Sequence, residues 1–448
     1  MLKKISGNCG IWSQSMKTVF SCDRRRTHQP GLQAFELDQA ATVFPATLSR
    51  RQHHIFNLYA CLSQPVDGPC LQQALENCRA RFPALTARLV GGFWRYRLQS
   101  LEQAPKIGEG IQNRLRPMSR RELSQCCFRV EYQNCSVSMD FFHALTDGCG
   151  AMVFFKALLA EYHRLRYGLS IPAGENMPVC HQLPIPGESE DGFLRYAKGK
   201  TRSEPFLHAY KHRGKGAGEL VTQRLWMDSD RVHTRAGEYG VTVTEYLLAL
   251  VLAAMDRVRA QDGSARKKYP VRIAIPVNLR QHFSSSTLRN FSLCCMVSAP
   301  IGGSVREICG EVHEQLLQQN TPGNLADLMT TFARMIRLAQ FWIPFQPLRN
   351  VAFKIVYGLL GSHGVTMAIS SLGRVELPAA LEKQVTDLAF YTDTNACDTH
   401  NCTLCSYRGR LSMVLCRWVA DGCLEENLAR MLGEEGLFFQ QEEIRFPL

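Results

Sequence analysis

Ser136-Val-Ser-Met-Asp-Phe-Phe-His-Ala-Leu-Thr-Asp-Gly-Cys-Gly150 runs as an apolar strand, breaks into a polar turn and opens a helix. Beyond it, Met152, Phe155, Leu158, Leu159, Tyr162 and Leu165 recur at the intervals of one buried helical face. His143 stands at the break, with Asp147 four residues on and Gly148 directly after it. Such a junction aims a side chain out of a rigid scaffold while the flanking elements hold it still, as a general base requires. Gly148 suits the tight turn. Just upstream, Ser124–Tyr132 and Ser136–Phe142 form a hairpin pattern that delivers the chain to His143.

Taken alone, His-x-x-x-Asp-Gly also fits a satisfied buried histidine, a metal pair or a dyad of Cys149 with His143. No His-Glu-x-x-His pattern or clustered third ligand supports a metal. Nothing in the sequence around Cys149 argues for a lowered thiol pKa.

The chain of 448 residues is too long for one ordinary core, so two domains are expected. No apolar run reaches the roughly 18–20 residues of a membrane span. The nearest approach, Phe341 to Leu360, is interrupted by Pro344, Pro347, Arg349 and Lys354. The net charge of +12 is partly local, since six Lys or Arg face one acid between Met1 and Phe35. A moderate positive field suits anionic ligands such as phosphorylated cofactors. Nucleic acid is not expected, because there is no zinc-finger spacing, aromatic RNA-binding signature or basic helix. The 18 cysteines lack disulfide or zinc spacing. Cys402-x-x-Cys405 has no second pair, and without a secretory signal these thiols read as small buried hydrophobes in a reducing, cytoplasmic compartment.

In chain order, residues 1–30 read as a disordered or non-native extension, and 31–185 as an N-terminal domain carrying His143. Within it, His54–Leu62 is a strand, Asp67 caps a helix with apolar face Leu71, Ala74, Leu75 and Cys78, and Phe93–Leu98 is another strand. The Gly-, Pro- and Lys-rich segment 186–219 reads as a solvated crossover. Residues 220–448 form the second domain. There, Leu220–Met227 is a strand and Thr242-Val-Thr-Glu245 is a capping box opening a helix to Val258 that is apolar nearly all round. Strands follow at Val271–Arg280 and Phe291–Ala299, then helices at Val305–Gln319, Leu325–Phe341 and Leu348–Leu360. Ser370–Arg374 reads as a turn, Arg408-Gly409 as a two-residue hairpin turn, and Glu425–Leu432 as the helix that ends the pattern.

The motifs in series resemble the acyl-CoA-dependent acyltransferase superfamily with the chloramphenicol-acetyltransferase and condensation-domain fold, and within it the bacterial alcohol acetyltransferase-like branch. The His143-Ala-Leu-Thr-Asp-Gly148 signature is joined by Arg81-Phe-Pro83, Val241-Thr-Val-Thr-Glu-Tyr246, Pro276-Val-Asn-Leu-Arg280 and Leu288-Arg-Asn-Phe291. The resemblance covers about residues 45–430. It implies a mixed α/β protein of two similar domains meeting at a central cleft. Two departures stand out. Condensation domains usually carry a second histidine where this chain has Phe142, and relatives often read Ser-Asn-Leu-Gly where it has Ser370-Ser-Leu-Gly373.

The implied activity is O-acyl transfer, with acetyl the expected group and a small or lipid-like alcohol the expected acceptor. His143 and Asp147 are the motif's catalytic positions. His143 would take the acceptor's proton as it attacks the thioester, with no acyl-enzyme; Asp147 would instead pair with Arg280 and brace the catalytic loop. Gly148 and Arg280 are thus supporting residues, while Asn290 and Ser370 fall in segments that line the substrate tunnel in relatives. Acyl-CoA, expected as acetyl-CoA, enters as co-substrate, with no permanently bound cofactor and no metal; the expected state is a monomer. Two alternatives stay open: an N-acyltransferase or condensation-type enzyme with a carrier-bound donor, and a non-catalytic binding member of the fold.

Overall fold

The computed structural model describes residues 32–447 apart from 50–51, 112–113, 175–176, 186, 203–206, 359–362 and 395–398. The N-terminal extension and the last residues expected in the helix ending at Leu360 therefore lie outside the described residues.

The first part of the chain forms β1 (Ala34–Glu36), α1 (Val43–Thr47), β2 (Ile55–Leu62), α2 (Gly68–Arg81), β3 (Ala87–Gly91) and β4 (Tyr96–Ser100). It continues through β5 (Gly108–Glu109), α3 (Arg120–Leu123), β6 (Phe128–Gln133), β7 (Ser136–Phe142) and α4 (Gly148–Tyr167). The crossover carries a short helix, α5 (Gly192–Tyr196). Then come β8 (Gly216–Asp228), α6 (Ser229–Glu238), α7 (Val243–Gln261), β9 (Arg272–Asn278), β10 (Ser292–Ser298), α8 (Val305–Gln319), α9 (Pro322–Trp342) and α10 (Gln346–Val356). The chain closes with β11 (Met367–Arg374), α11 (Ala379–Glu382), β12 (Val385–Thr392), β13 (His400–Tyr407), β14 (Arg410–Val419), α12 (Cys423–Glu434) and β15 (Phe439–Pro447).

Among the described residues three sheets form, ordered β1-β4-β3, β12-β2-β7-β6-β5 and β10-β9-β11-β13-β14-β8-β15. β12 belongs by sequence to the second half yet pairs antiparallel with β2, setting Ala389 opposite Tyr59. The later chain thus supplies an edge strand to the sheet that presents His143. Helices α2 and α4 bury their apolar faces on that sheet in one core. A second core surrounds α7, whose residues Tyr246 to Met255 are all buried. At roughly 1.5–3 kcal/mol for each large apolar side chain fully buried, α7 anchors the seven-stranded sheet.

Local chemistry explains the element ends. Asp67 caps α2 by accepting from the Cys70 amide at 2.9 Å, and Thr242 with Glu245 forms the capping box of α7. Arg408 and Gly409 both have positive φ, 48° and 73°, the geometry of a type I′ hairpin turn.

Several expectations are corrected. Ser370–Arg374 is not a turn but the end of β11, parallel to β13 through Ser371 with an irregularity before Arg374. The pattern does not end at α12, because β15 adds an edge strand along β8. Its sequence, Phe439-Gln-Gln-Glu-Glu-Ile-Arg, is too polar to read as a strand without its partner. Phe93-Trp-Arg95 forms the tip between β3 and β4 rather than strand. The crossover is strapped down more than expected. Arg81, fully buried, makes two 2.6 Å bonds to Glu188, while the Leu288 amide donates to the Glu188 carbonyl. Most crossover bases are exposed, but Lys211 is buried.

Candidate active site

The loop from His143 to Gly148 is held at both ends. The His143 amide donates to the His54 carbonyl at 2.9 Å. His54 presents that carbonyl from a left-handed conformation, φ 56°, uncommon for a residue with a side chain. Its ring is engaged by Thr47 of α1 at 2.8 Å. The strand expected to begin at His54 begins at Ile55, because His54 is the bend that meets the loop.

At the other end Asp147 is the N-cap of α4, its Oδ1 accepting from the Gly150 amide at 2.9 Å. Its Oδ2 accepts from Arg280 Nη1 at 2.9 Å and from the Phe291 amide at 2.8 Å. Arg280 spends its other donors on the Asn278 side chain and the carbonyls of Thr287 and Arg289. The carboxylate therefore binds the helix start to the 278–291 segment and has no hydrogen bond with His143. Gly148 has no positive φ, so the turn does not demand glycine there; an added Cβ would instead press to 3.0 Å from Leu372. Gly150 is the tighter position, since a Cβ would fall 2.2 Å from the Leu288 carbonyl oxygen.

The His143 ring lies against Phe44 of α1 in a stacked arrangement at 4.4 Å and meets the edge of Phe56 at 5.2 Å. Its Nδ1 is 3.0 Å from Asn290 Oδ1. Asn290 Nδ2 in turn faces Asp38 Oδ2 at 3.4 Å. That oxygen also faces Arg289 Nη2 at 3.4 Å, and Asp38 Oδ1 accepts from the Ala41 amide at 2.7 Å. The Asp38 carboxylate oxygens accept from Ala41 and face Arg289 and Asn290 Nδ2, so the amide group of Asn290 points to the carboxylate and its oxygen to the imidazole. Hydrogen-bond polarity then places the ring proton on Nδ1 and leaves Nε2 as the basic nitrogen. Asn290, expected as a substrate contact, is a neighbour of the histidine.

Burial lowers the His143 pKa below its ordinary value. The opposing influences are a bond to its own backbone, the charges of Asp147 and Asp38, and the Asn290 bond, and they do not overcome it. The ring is neutral at pH 7. Burial pushes the Cys149 thiol up to about 12, so Cys149 is no nucleophile.

A cavity of ≈80 Å³ lies beside the ring, bounded by Phe56, His143, Asn278, Ser292, Ser370 and Phe390 among others. These residues come from both large sheets, which places His143 at the seam between the two halves. Ser370 contributes a hydroxyl with no partner among the described residues, whereas Ser371 is committed to Thr244 and the Gly373 amide. At the far end of the Asp38 chain a larger cavity of ≈410 Å³ is lined by Asp38, Gln39, Arg289, Gln346 and Arg349 among others. Gln39 Oε1, Gln346 Oε1 and Arg289 Nε are buried there without a partner. Among the described residues no cluster of His, Cys, Asp and Glu could hold a metal.

Asp38, Phe44, His54 and Arg289 were not singled out from sequence. Asp38 sits before Gln-Ala-Ala-Thr and reads only as a turn former, while its contact with Asn290 spans 252 positions, beyond any local pattern.

No protein-family model and no curated protein matches the sequence. Solved structures match it in shape. Polyketide synthase associated protein 5 from Mycobacterium tuberculosis aligns over 90% of this chain and 98% of its own, at 13% identity and TM-score 0.59. The wax ester synthase/diacylglycerol acyltransferase from Marinobacter aquaeolei VT8 aligns over 90% and 100%, at 16% identity and TM-score 0.54. The first condensation domain of the calcium-dependent antibiotic synthetase aligns over 91% and 99%, at 14% identity and TM-score 0.58. The chain has the two-lobed α/β fold of the chloramphenicol-acetyltransferase and condensation-domain class, with His143 at the seam of its lobes.

Proposed function

We propose that the protein is an acyl-CoA-dependent O-acyltransferase, moving an acetyl group to a small or lipid-like alcohol with His143 as the general base. The observation that carries this reading is the neutral imidazole with Nδ1 engaged by Asn290 and Nε2 left for chemistry, beside a cavity between the lobes. Nε2 takes the hydroxyl proton as the alcohol oxygen bonds to the thioester carbonyl carbon. The tetrahedral intermediate then breaks its C–S bond, and the proton on Nε2 passes to the departing thiolate. No acyl-enzyme forms. The Ser370 hydroxyl is the available donor to the oxyanion on the cavity wall. Phe142, buried in front of His143, fills the place where condensation domains usually carry a second histidine, which favours a free CoA donor over carrier-protein chemistry.

Release of free thiol from acetyl-CoA, followed with a panel of alcohols, tests the reading. Alcohol-dependent thiol release with a matching ester product is expected. Thiol release from no acyl-CoA of any chain length, under conditions where the protein is folded, contradicts it.

A further inference from the structure

The apolar run broken by Pro344, Pro347, Arg349 and Lys354 forms the end of α9 and all of α10, and α10 is amphipathic the wrong way round. Its buried residues are Gln346 and Arg349, whereas Leu348, Val351 and Ile355 are exposed, Leu348 at 63%. The end of α9 continues this face with Met335, Leu338, Phe341 and Trp342, the last two each 75% exposed. A surface helix in water ordinarily turns its apolar stripe inward.

The face is built rather than frayed. Arg349 donates to the carbonyls of Ile343 at 3.0 Å, Pro344 at 3.1 Å and Trp94 at 2.6 Å, and the Gln346 amide donates to the Phe93 carbonyl at 3.2 Å. These bonds lock the joint between α9 and α10 to the tip between β3 and β4. There the exposed rings of Phe93, Trp94 and Phe345 cluster, with centroids 4.7–5.3 Å apart.

Charge selects the partner. Between Asp327 and Glu376 the chain has no acidic residue and five basic ones. Arg334, Arg337 and Lys354 are exposed on these helices, and Arg95 is exposed at the aromatic tip. Exposed Trp and Phe beside Arg and Lys is the composition of a helix that lies in a membrane interface. No helix among the described residues is long and apolar enough to cross a bilayer. We propose that the outer face of α9 and α10, with the Phe93–Trp94 tip, docks in the plane of a lipid bilayer bearing anionic headgroups. This placement stands apart from the acyl-transfer reading.

Flotation of the full chain with vesicles of phosphatidylcholine alone, or with 30% phosphatidylglycerol, tests it. Binding to the anionic vesicles at least tenfold tighter than to the neutral ones is expected, and it weakens in 0.5 M salt. The double variant Phe341→Ser/Trp342→Ser, altered at two highly exposed positions and checked for an unchanged melting temperature, should lose at least tenfold. Arg337→Glu/Lys354→Glu should lose anionic preference by about fivefold or more per charge. The proposal is overturned if the wild type ignores anionic vesicles or if the serine variant binds as well. It is also overturned if the wild type is a dimer that the serine changes dissociate, since a second copy then covers the face.

Discussion

At His143 the controlling fact is which nitrogen is free. Asn290 holds Nδ1 and is itself oriented by Asp38. Asn290→Leu removes that hold with little change in volume. The expected outcome is a 10- to 100-fold fall in kcat with KM little changed, because the proposed base is misdirected while the cavity persists. The same variant carries a signature that a merely structural role would not. Burial lowers the His143 pKa and the Asn290 bond partly opposes it, so turnover should be flat around pH 7–8 and fall as pH drops through a value below 6.5. Losing the bond should move that limb to lower pH. A pH–rate profile with its limb unmoved in Asn290→Leu would assign Asn290 to packing alone. The pairing of Asp147 with Arg280 was legible because each stands in a short motif of the resemblance. Asp38 and Phe44 were not, because what matters in them is a contact with a residue distant in sequence.

At the scale of elements, α4 starts where it does because Asp147 caps it, and the same carboxylate ties that start to β9 and β10 through Arg280 and the Phe291 amide. Arg280→Ala leaves a buried carboxylate short of its partner. A loss of about 3–5 kcal/mol is expected, read as a lowered denaturation midpoint, together with lost activity. Full stability and turnover in this variant would show that the pair braces nothing. Elements with strong periodicity, such as α4, α7 and β7, were legible from their apolar spacing. β15 and β12 show the limits of that signal. β15 is polar and depends on β8 for its strand character, and nothing in the sequence of β12 says that its partner is β2 rather than its own neighbours. Register between distant segments is a property of the packed sheet.

Across the whole molecule, burial holds several histidines below their ordinary pKa, both beside the candidate site and away from it. Burial lowers His54, beside the His143 ring, to about 3, and lowers His400, at the start of β13, to about 3 as well. The unfolded chain binds protons at these groups near pH 6.5 and the folded chain does not. Stability is therefore full above pH 6.5 and is lost as pH falls toward 3. Each group withdraws on the order of 3 kcal/mol by pH 4. Urea midpoints should fall steeply across this window, and His400→Asn should flatten the slope; a slope unchanged by that substitution would remove His400 from the account. The two-lobed architecture was expected from the chain's length and its resemblance, whereas the exchange of β12 arises only when distant segments pack into one sheet.

The central claim is that His143 is the base of an acyl transfer, and comparison of His143→Ala with wild type in acetyl-CoA thiol release tests it most directly. The account predicts a loss of roughly 100-fold or more in alcohol-dependent turnover at an unchanged melting temperature. Turnover equal to wild type in a folded His143→Ala protein would contradict it.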